Sequence, residues 1–138
     1  MKLKFTALTM IFFATLQIAC KKQNAIVDKA LYGKWKLTEM YDEYGAAGTY
    51  LWNDVSNENA HYLEFTANSH YKKTESSGGA FRQCSGTYKF LTHTKIEVDS
   101  NCEPKIERLT ISELTNETLI IDHLGTEGVI RYKYKVDR

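Results

Sequence analysis

Three cysteines, four histidines and a scatter of carboxylates are the residues through which this chain could do chemistry. Cys84 and Cys102 open and close the stretch "CSGTYKFLTHTKIEVDSNC", and such a pair has three uses: a structural disulfide, a metal site or a reactive thiol couple. A metal needs further ligands at tight spacing, yet no CxxC or HxxxH occurs, and a redox couple lacks its CxxC too. His61, His70, His93 and His123 are scattered, and no nucleophile elbow accompanies them. Glu64 and Glu75 are candidates for inward positions by strand parity, but spacing alone does not make them a catalytic pair. Gly78-Gly79 is a strand break rather than a phosphate loop, since no helix follows it. Catalysis, a metal and any other cofactor are therefore not expected.

The compartment decides what the cysteines do, and the N-terminus gives the address. Lys2 and Lys4 precede an apolar run, "FTALTMIFFATLQIA", that ends on small Ala19. The run is shorter than the ~20 residues a membrane-spanning helix needs, and its layout is that of a secretory leader. "LQIAC" follows, with Cys20 leading into polar "KKQN". This resembles the lipobox of bacterial lipoproteins, with Gln17 where leucine is usual. The resemblance implies cleavage after Ala19 and acylation of Cys20, hence attachment to a membrane, since two or three acyl chains hold a protein there stably. Lys21 behind the cysteine resembles the signal that releases lipoproteins to the outer membrane. With no acidic run after it, a periplasm-facing position is expected and surface display is not supported.

Residues 1–19 thus form a leader, residues 20–30 the lipid-attachment cysteine, tether and a short helix, and residues 31–138 one domain with a core of its own. Without the leader's two lysines, the 18 basic and 17 acidic residues become 16 against 17. No charge bias suggests nucleic acid as a partner. In an oxidising space Cys84 and Cys102 are expected to pair, and a hairpin register supports this. Tyr88 and Phe90 share one face of a strand, Ile96 and Val98 one face of the next. Pairing Phe90 with Ile96 and Tyr88 with Val98, around a turn near His93, also sets Cys84 opposite Cys102, within disulfide reach.

Elements that position these residues read almost entirely as strands. Asn24 caps one or two helical turns through Ile26, Val27, Ala30 and Leu31. Strands are expected at 33–43, 61–66, 71–76, 80–91, 95–99, 105–113, 118–123 and 129–137, with Ser85-Gly86 marking a bulge. Trp35, Leu37 and Tyr41 share one face of the first; Leu109 and Ile111 point inward from the sixth. In the last, Ile130, Tyr132, Tyr134 and Val136 alternate with Arg131, Lys133 and Lys135. Asn116-Glu117-Thr118 matches a glycosylation sequon but reads as a turn. Eight short antiparallel strands with one apolar face predict an all-β, up-and-down barrel, with a two-sheet sandwich as the alternative.

The short helix and "LYGKW", with Gly33-x-Trp35 opening the first strand, resemble the Gly-x-Trp signature of lipocalins, and the eight-strand meander resembles the small lipocalin-like domains of bacterial lipoproteins. That resemblance implies that Gly33 and Trp35 plug the closed end, with Arg131 a candidate to cover Trp35. It also implies that the first connection folds as a lid over the open end. This connection, residues 44–60, is far longer than a hairpin needs and carries Tyr44, Tyr50, Leu51 and Trp52. It is read as a lid, a protein contact or a cap on the core. Inward Leu63, Phe65, Tyr71, Tyr88, Phe90, Tyr132 and Tyr134 either fill the barrel or line a small cavity. Lys34, Lys36, Arg131, Lys133 and Lys135 would form an outer basic stripe where the first and last strands meet. The leading expectation is a small, largely apolar ligand held in or at the mouth of the barrel, by Tyr50, Trp52, Phe65, Tyr71, Tyr88, Tyr132 and Tyr134. The alternative is a filled interaction module, an envelope assembly factor or enzyme inhibitor, that meets another envelope protein.

Overall fold

Strict alternation makes the last strand amphipathic: along β9 (Val129–Val136) Tyr134 is buried while its neighbour Lys135 is exposed. One apolar face per strand can be hidden by rolling the sheet into a barrel, which also pairs both of its edges. The computed structural model describes residues 29–42, 51–124 and 128–138. Among them run β1 (Gly33–Asp42), β2 (Trp52–Asp54), β3 (His61–Phe65), β4 (His70–Ser77), β5 (Ala80–Phe90), β6 (Lys95–Ser100), β7 (Ile106–Leu114), β8 (Thr118–Leu124) and β9. Every pairing is antiparallel, in the order β2-β1-β3-β4-β5-β6-β7-β8-β9, and β9 pairs back onto β1. β3 lies along the first half of β1 (Trp35 opposite Leu63) and β2 along its second half (Tyr41 opposite Trp52). The result is a closed eight-stranded barrel with β2 as a short ninth strand on its wall.

The first strand sets the closed end. Residues 29–31 are helical and deliver Leu31, fully buried, onto Trp35. Trp35 Nε1 donates to the Leu31 carbonyl at 2.9 Å, so the indole's one polar group is satisfied inside the core. Between them Gly33 sits at φ 141°, where a β-carbon is disfavoured. The interior above is filled by Leu37, Leu63, Phe65, Tyr71, Tyr88, Ile96, Val98, Leu109, Ile111, Leu119, Ile121 and Tyr134.

Phe90 pairs with Ile96 and Tyr88 with Val98, and Cys84 and Cys102 form a disulfide with their Cα atoms 5.5 Å apart. Other expectations are corrected. The long connection contains β2 and a 3-10 turn at Asn57–Asn59, so it is partly wall; Tyr44 and Tyr50, like Asn24, Ile26 and Val27, lie outside the described residues. No register shift occurs at Ser85-Gly86; the shifts lie between Leu37 and Glu39 and between Ile111 and Glu113. Gly86 answers to close approach instead: a β-carbon there would run into the Asp99 carbonyl and sit 2.7 Å from Ser100 Cα. The shift in β1 reverses parity beyond Thr38, so Met40 packs on the core and Tyr41 turns outward against Trp52 (ring centroids 5.5 Å).

Arg131 does not cover Trp35. It pairs with Asp122 at 3.1 Å and lies over Tyr41, at the other end of β1, while Val136 is the residue opposite Trp35. Nor is the stripe one of bare charge, because Lys34 meets Asp137 at 2.6 Å, Lys133 meets Glu39 at 2.9 Å, and Lys36 bonds the Asn57 side chain.

Candidate functional site

Each inward face changes character at one end, and the changes coincide. Along β3 the inward residues are His61, Leu63 and Phe65; along β4 they are Tyr71, Lys73 and Glu75. β5 carries Arg82 near its start, before Cys84; β7 carries Glu107 near its start, before Leu109 and Ile111; β8 carries His123 near its end, after Leu119 and Ile121. Strand direction alternates, so polar-first on β3, β5 and β7 and polar-last on β4 and β8 bring all these groups to the same pole, opposite Trp35. This is the mouth of the barrel. The pattern was present in the sequence, and reading each strand's inward residues for the position of its polar member would have exposed it.

The mouth is organised in pairs. Lys73 Nζ contacts Glu75 Oε1 at 2.7 Å, His61 Nε2 stands 3.8 Å from the same oxygen, and His123 Nδ1 stands 3.6 Å from Glu107 Oε1. Tyr132 is flanked by both imidazoles, with ring centroids 6.5 Å from His61 and 4.7 Å from His123, and His61 is edge-on to Tyr134 at 5.6 Å. Burial and then the nearby Lys73 charge pull the His61 pKa down to about 4, against the opposing pull of Glu75. His123 is lowered too, by burial first, with Glu107 opposing. Both imidazoles are thus neutral at pH 7. Burial pushes the Tyr71 and Tyr134 phenols up, so they stay protonated donors. Glu75 is held below the usual carboxylate range by Lys73, whose hydrogen bond and charge outweigh burial.

Two adjoining hollows share Tyr71, Lys73 and Glu107. The inner one, between His61, His123 and Tyr134, has a volume of about 10 Å³, room for about one water. The outer one, about 50 Å³, is bounded by Glu75, Arg82, the Cys84–Cys102 disulfide and Glu103-Pro104. The disulfide therefore ties β5 to the loop that walls the mouth. His61 Nε2 is buried and makes no hydrogen bond, the one such side-chain nitrogen or oxygen among the described residues. Among those residues no three His, Cys, Asp or Glu side chains converge to hold a metal ion. A larger groove of about 480 Å³ crosses the outside of β3–β5 between Glu64, Thr66, His70, Lys72, Ser85 and Thr87. It is open to solvent on the outer wall and contains no buried unsatisfied group, so we place the candidate site at the mouth despite the groove's size. Glu64, an inward candidate by parity, is on that outer wall opposite Lys72.

The sequence pattern of the lipocalin-like domain family matches residues 31–121, well over half of the chain. The chain belongs to the lipocalin-like domain family. The lipocalin-like barrel is also similar to the crystal structure of a lipocalin-like protein from Bacteroides uniformis ATCC 8492, with a TM-score of 0.55 and 15% identity over 78% of this chain and 99% of that one. A structure of an uncharacterized protein from Bacteroides eggerthii DSM 20697 is similar at a TM-score of 0.56 and 14% identity, again over 78% of this chain and 99% of that one. No curated protein sequence matches.

Within this lipocalin-like barrel the expected ligand residues separate into groups. Phe65, Tyr71 and Tyr88 pack on one another (Phe65 to Tyr71 5.4 Å, Phe65 to Tyr88 5.2 Å) and Tyr134 is 1% exposed, so these four fill the interior. Tyr88 also ties its hydroxyl to the Thr66 carbonyl at 2.9 Å. Only Tyr71 and Tyr134 border the hollows from below. Tyr132 alone of the aromatic candidates stands half-buried at the mouth. Trp52 is on the outer wall, under Lys133 Nζ at 4.8 Å, and Tyr50 lies outside the described residues.

Proposed function

We propose that the protein is a lipid-anchored binding protein of the bacterial envelope, acylated at Cys20 and facing the periplasm, that takes a small, largely apolar ligand at the mouth of its barrel. The observation that carries this reading is the ring of His61, Lys73, Glu75, Glu107 and His123 converging on hollows above a filled apolar core, with a buried imidazole nitrogen that makes no hydrogen bond. Sites for small molecules combine an apolar wall with a few convergent polar groups, and membership of the lipocalin-like family supports it. The filled interior limits the ligand to the mouth, beside which half-buried Met40 and Tyr132, paired across β1 and β9, offer apolar surface.

Native mass spectrometry on protein taken from the envelope and never refolded tests the reading. A discrete added mass, lost on organic extraction and restored by the extract, is expected. Bare protein that takes up nothing from an envelope lipid extract would instead favour an interaction module. One observation supports that rival: Phe81, 79% exposed beside the Gly78-Gly79 turn, projects a large apolar side chain that another envelope protein could cover.

A further inference from the structure

Resting on the mouth as the binding site, the chemistry of its inner hollow points to one class of ligand. We propose that the mouth selects a neutral, hydroxyl-bearing amphiphile, its hydroxyl seated in the inner hollow against His61 Nε2 and its apolar part over Met40 and Tyr132.

Size argues first. The inner hollow of about 10 Å³ is sized for a single oxygen, and a carboxylate would have to reach into the outer hollow as well. Charge argues second. The mouth's cations are Lys73 and Arg82, and its anions are Glu75, Glu103 and Glu107. Lys73, the cation that reaches the inner hollow, is already engaged by Glu75 at 2.7 Å. Arg82 is in the outer hollow, away from His61, facing Glu75. An acid head group would thus enter a net-negative ring whose nearest ammonium is taken, at the cost of its own hydration. An ammonium head group fails differently, because Lys73 lines the hollow it would have to enter.

Hydrogen bonding argues third. A neutral imidazole nitrogen is a donor in one tautomer and an acceptor in the other, and a hydroxyl can answer either. An unmet buried polar atom is costly, and a single partner recovers that loss. Tyr71 and Tyr134 also line this hollow, and burial keeps both phenols protonated, so the walls around the seated oxygen are neutral there.

The test compares 1-octanol, octanoate and n-octylammonium on the full chain at pH 7.5, by calorimetric titration and by the ¹⁵N resonances of the His61 ring. Octanol is expected to bind at least tenfold more tightly than either charged probe and to be the one that shifts His61 Nε2. His61→Phe is expected to cost octanol about fivefold in affinity, the worth of one neutral hydrogen bond. Octanoate or octylammonium binding as tightly as octanol, or octanol binding without moving the His61 resonance, overturns the hydroxyl assignment while leaving the mouth as a binding site. Failure of all three probes to bind overturns the mouth itself as the site, and the hydroxyl assignment with it. The resonance is read on the unmodified protein, so the test survives a variant that folds poorly.

Discussion

Acidification should weaken this barrel, and the loss should begin at one side chain. His61 is faced by Lys73 and Glu75 from β4, Glu107 from β7, His123 from β8 and Tyr132 and Tyr134 from β9, and its side chain is 16% exposed. Burial lowers its pKa from 6.5 to about 4. Between those values the unfolded chain binds a proton that the native state does not, so stability falls as pH falls. At about 1.4 kcal/mol per unit the contribution is about 3 kcal/mol, complete above pH 6.5. About 1 kcal/mol of it is gone by pH 5.5 and most of it by pH 4.5. His123, lowered in the same direction, adds to the slope. Glu75, held below 4.5, contributes its loss only at lower pH. With a urea m-value of about 1.5 kcal/mol/M for a domain of this size, the midpoint should drop by about 2 M between pH 7.5 and 4.5. Urea titrations across that range, on the protein and on His61→Phe, read the effect. A midpoint that holds steady to pH 4.5, or an equally steep loss in the variant, refutes the reasoning. An NMR titration showing His61 protonated at pH 6 would do so more directly.

Replacing both disulfide cysteines, Cys84→Ala with Cys102→Ala, should cost about 3 kcal/mol, since the bond closes a loop of 18 residues' separation; chemical denaturation against the oxidised protein reads the difference. Gly86→Ala should cost about 3 kcal/mol, because the added carbon meets the Asp99 backbone rather than a side chain that can swing away; a lowered thermal midpoint with an unchanged fold by circular dichroism is the expected signature. Trp35→Ala should cost about 4 kcal/mol by emptying the closed end beneath Leu31, measured by denaturant unfolding. By contrast Lys34→Ala, at an exposed pair with Asp137, should change stability by less than about 1 kcal/mol in the same assay.

Much of the barrel was legible because side-chain parity carries it. Facing Tyr88 and Phe90 toward Val98 and Ile96 is enough to find the β5–β6 register and, with it, the disulfide. Parity fails where the chain slips by one. Nothing in "KLTEMYD" advertises the irregularity after Leu37, which contains neither glycine nor proline, so Tyr41 reads as inward although it faces Trp52 outside. β2 escaped for a related reason: three residues carry too little alternation to be a signal, and they pair because Trp52 finds Tyr41 and Lys133. The mouth was half visible. Its members stand on inward faces of separate strands, but their company depends on which pole each strand end occupies, a property of the closed barrel.

The pairing of β1 with β9 has a consequence in time as well as in space. Trp35 lies beside Val136, at the far side of the domain in sequence, so one edge of β1 has no partner until β9 has been made. A ribosome extends the chain far more slowly than a hairpin forms, and non-local closure is the slow part of β-protein folding. Until β9 emerges, the nascent domain therefore holds a sticky edge that only that strand can cover. A truncation that removes β9 should consequently not leave a smaller barrel. It should leave seven barrel strands and β2, with two open margins ready to recruit a neighbouring chain.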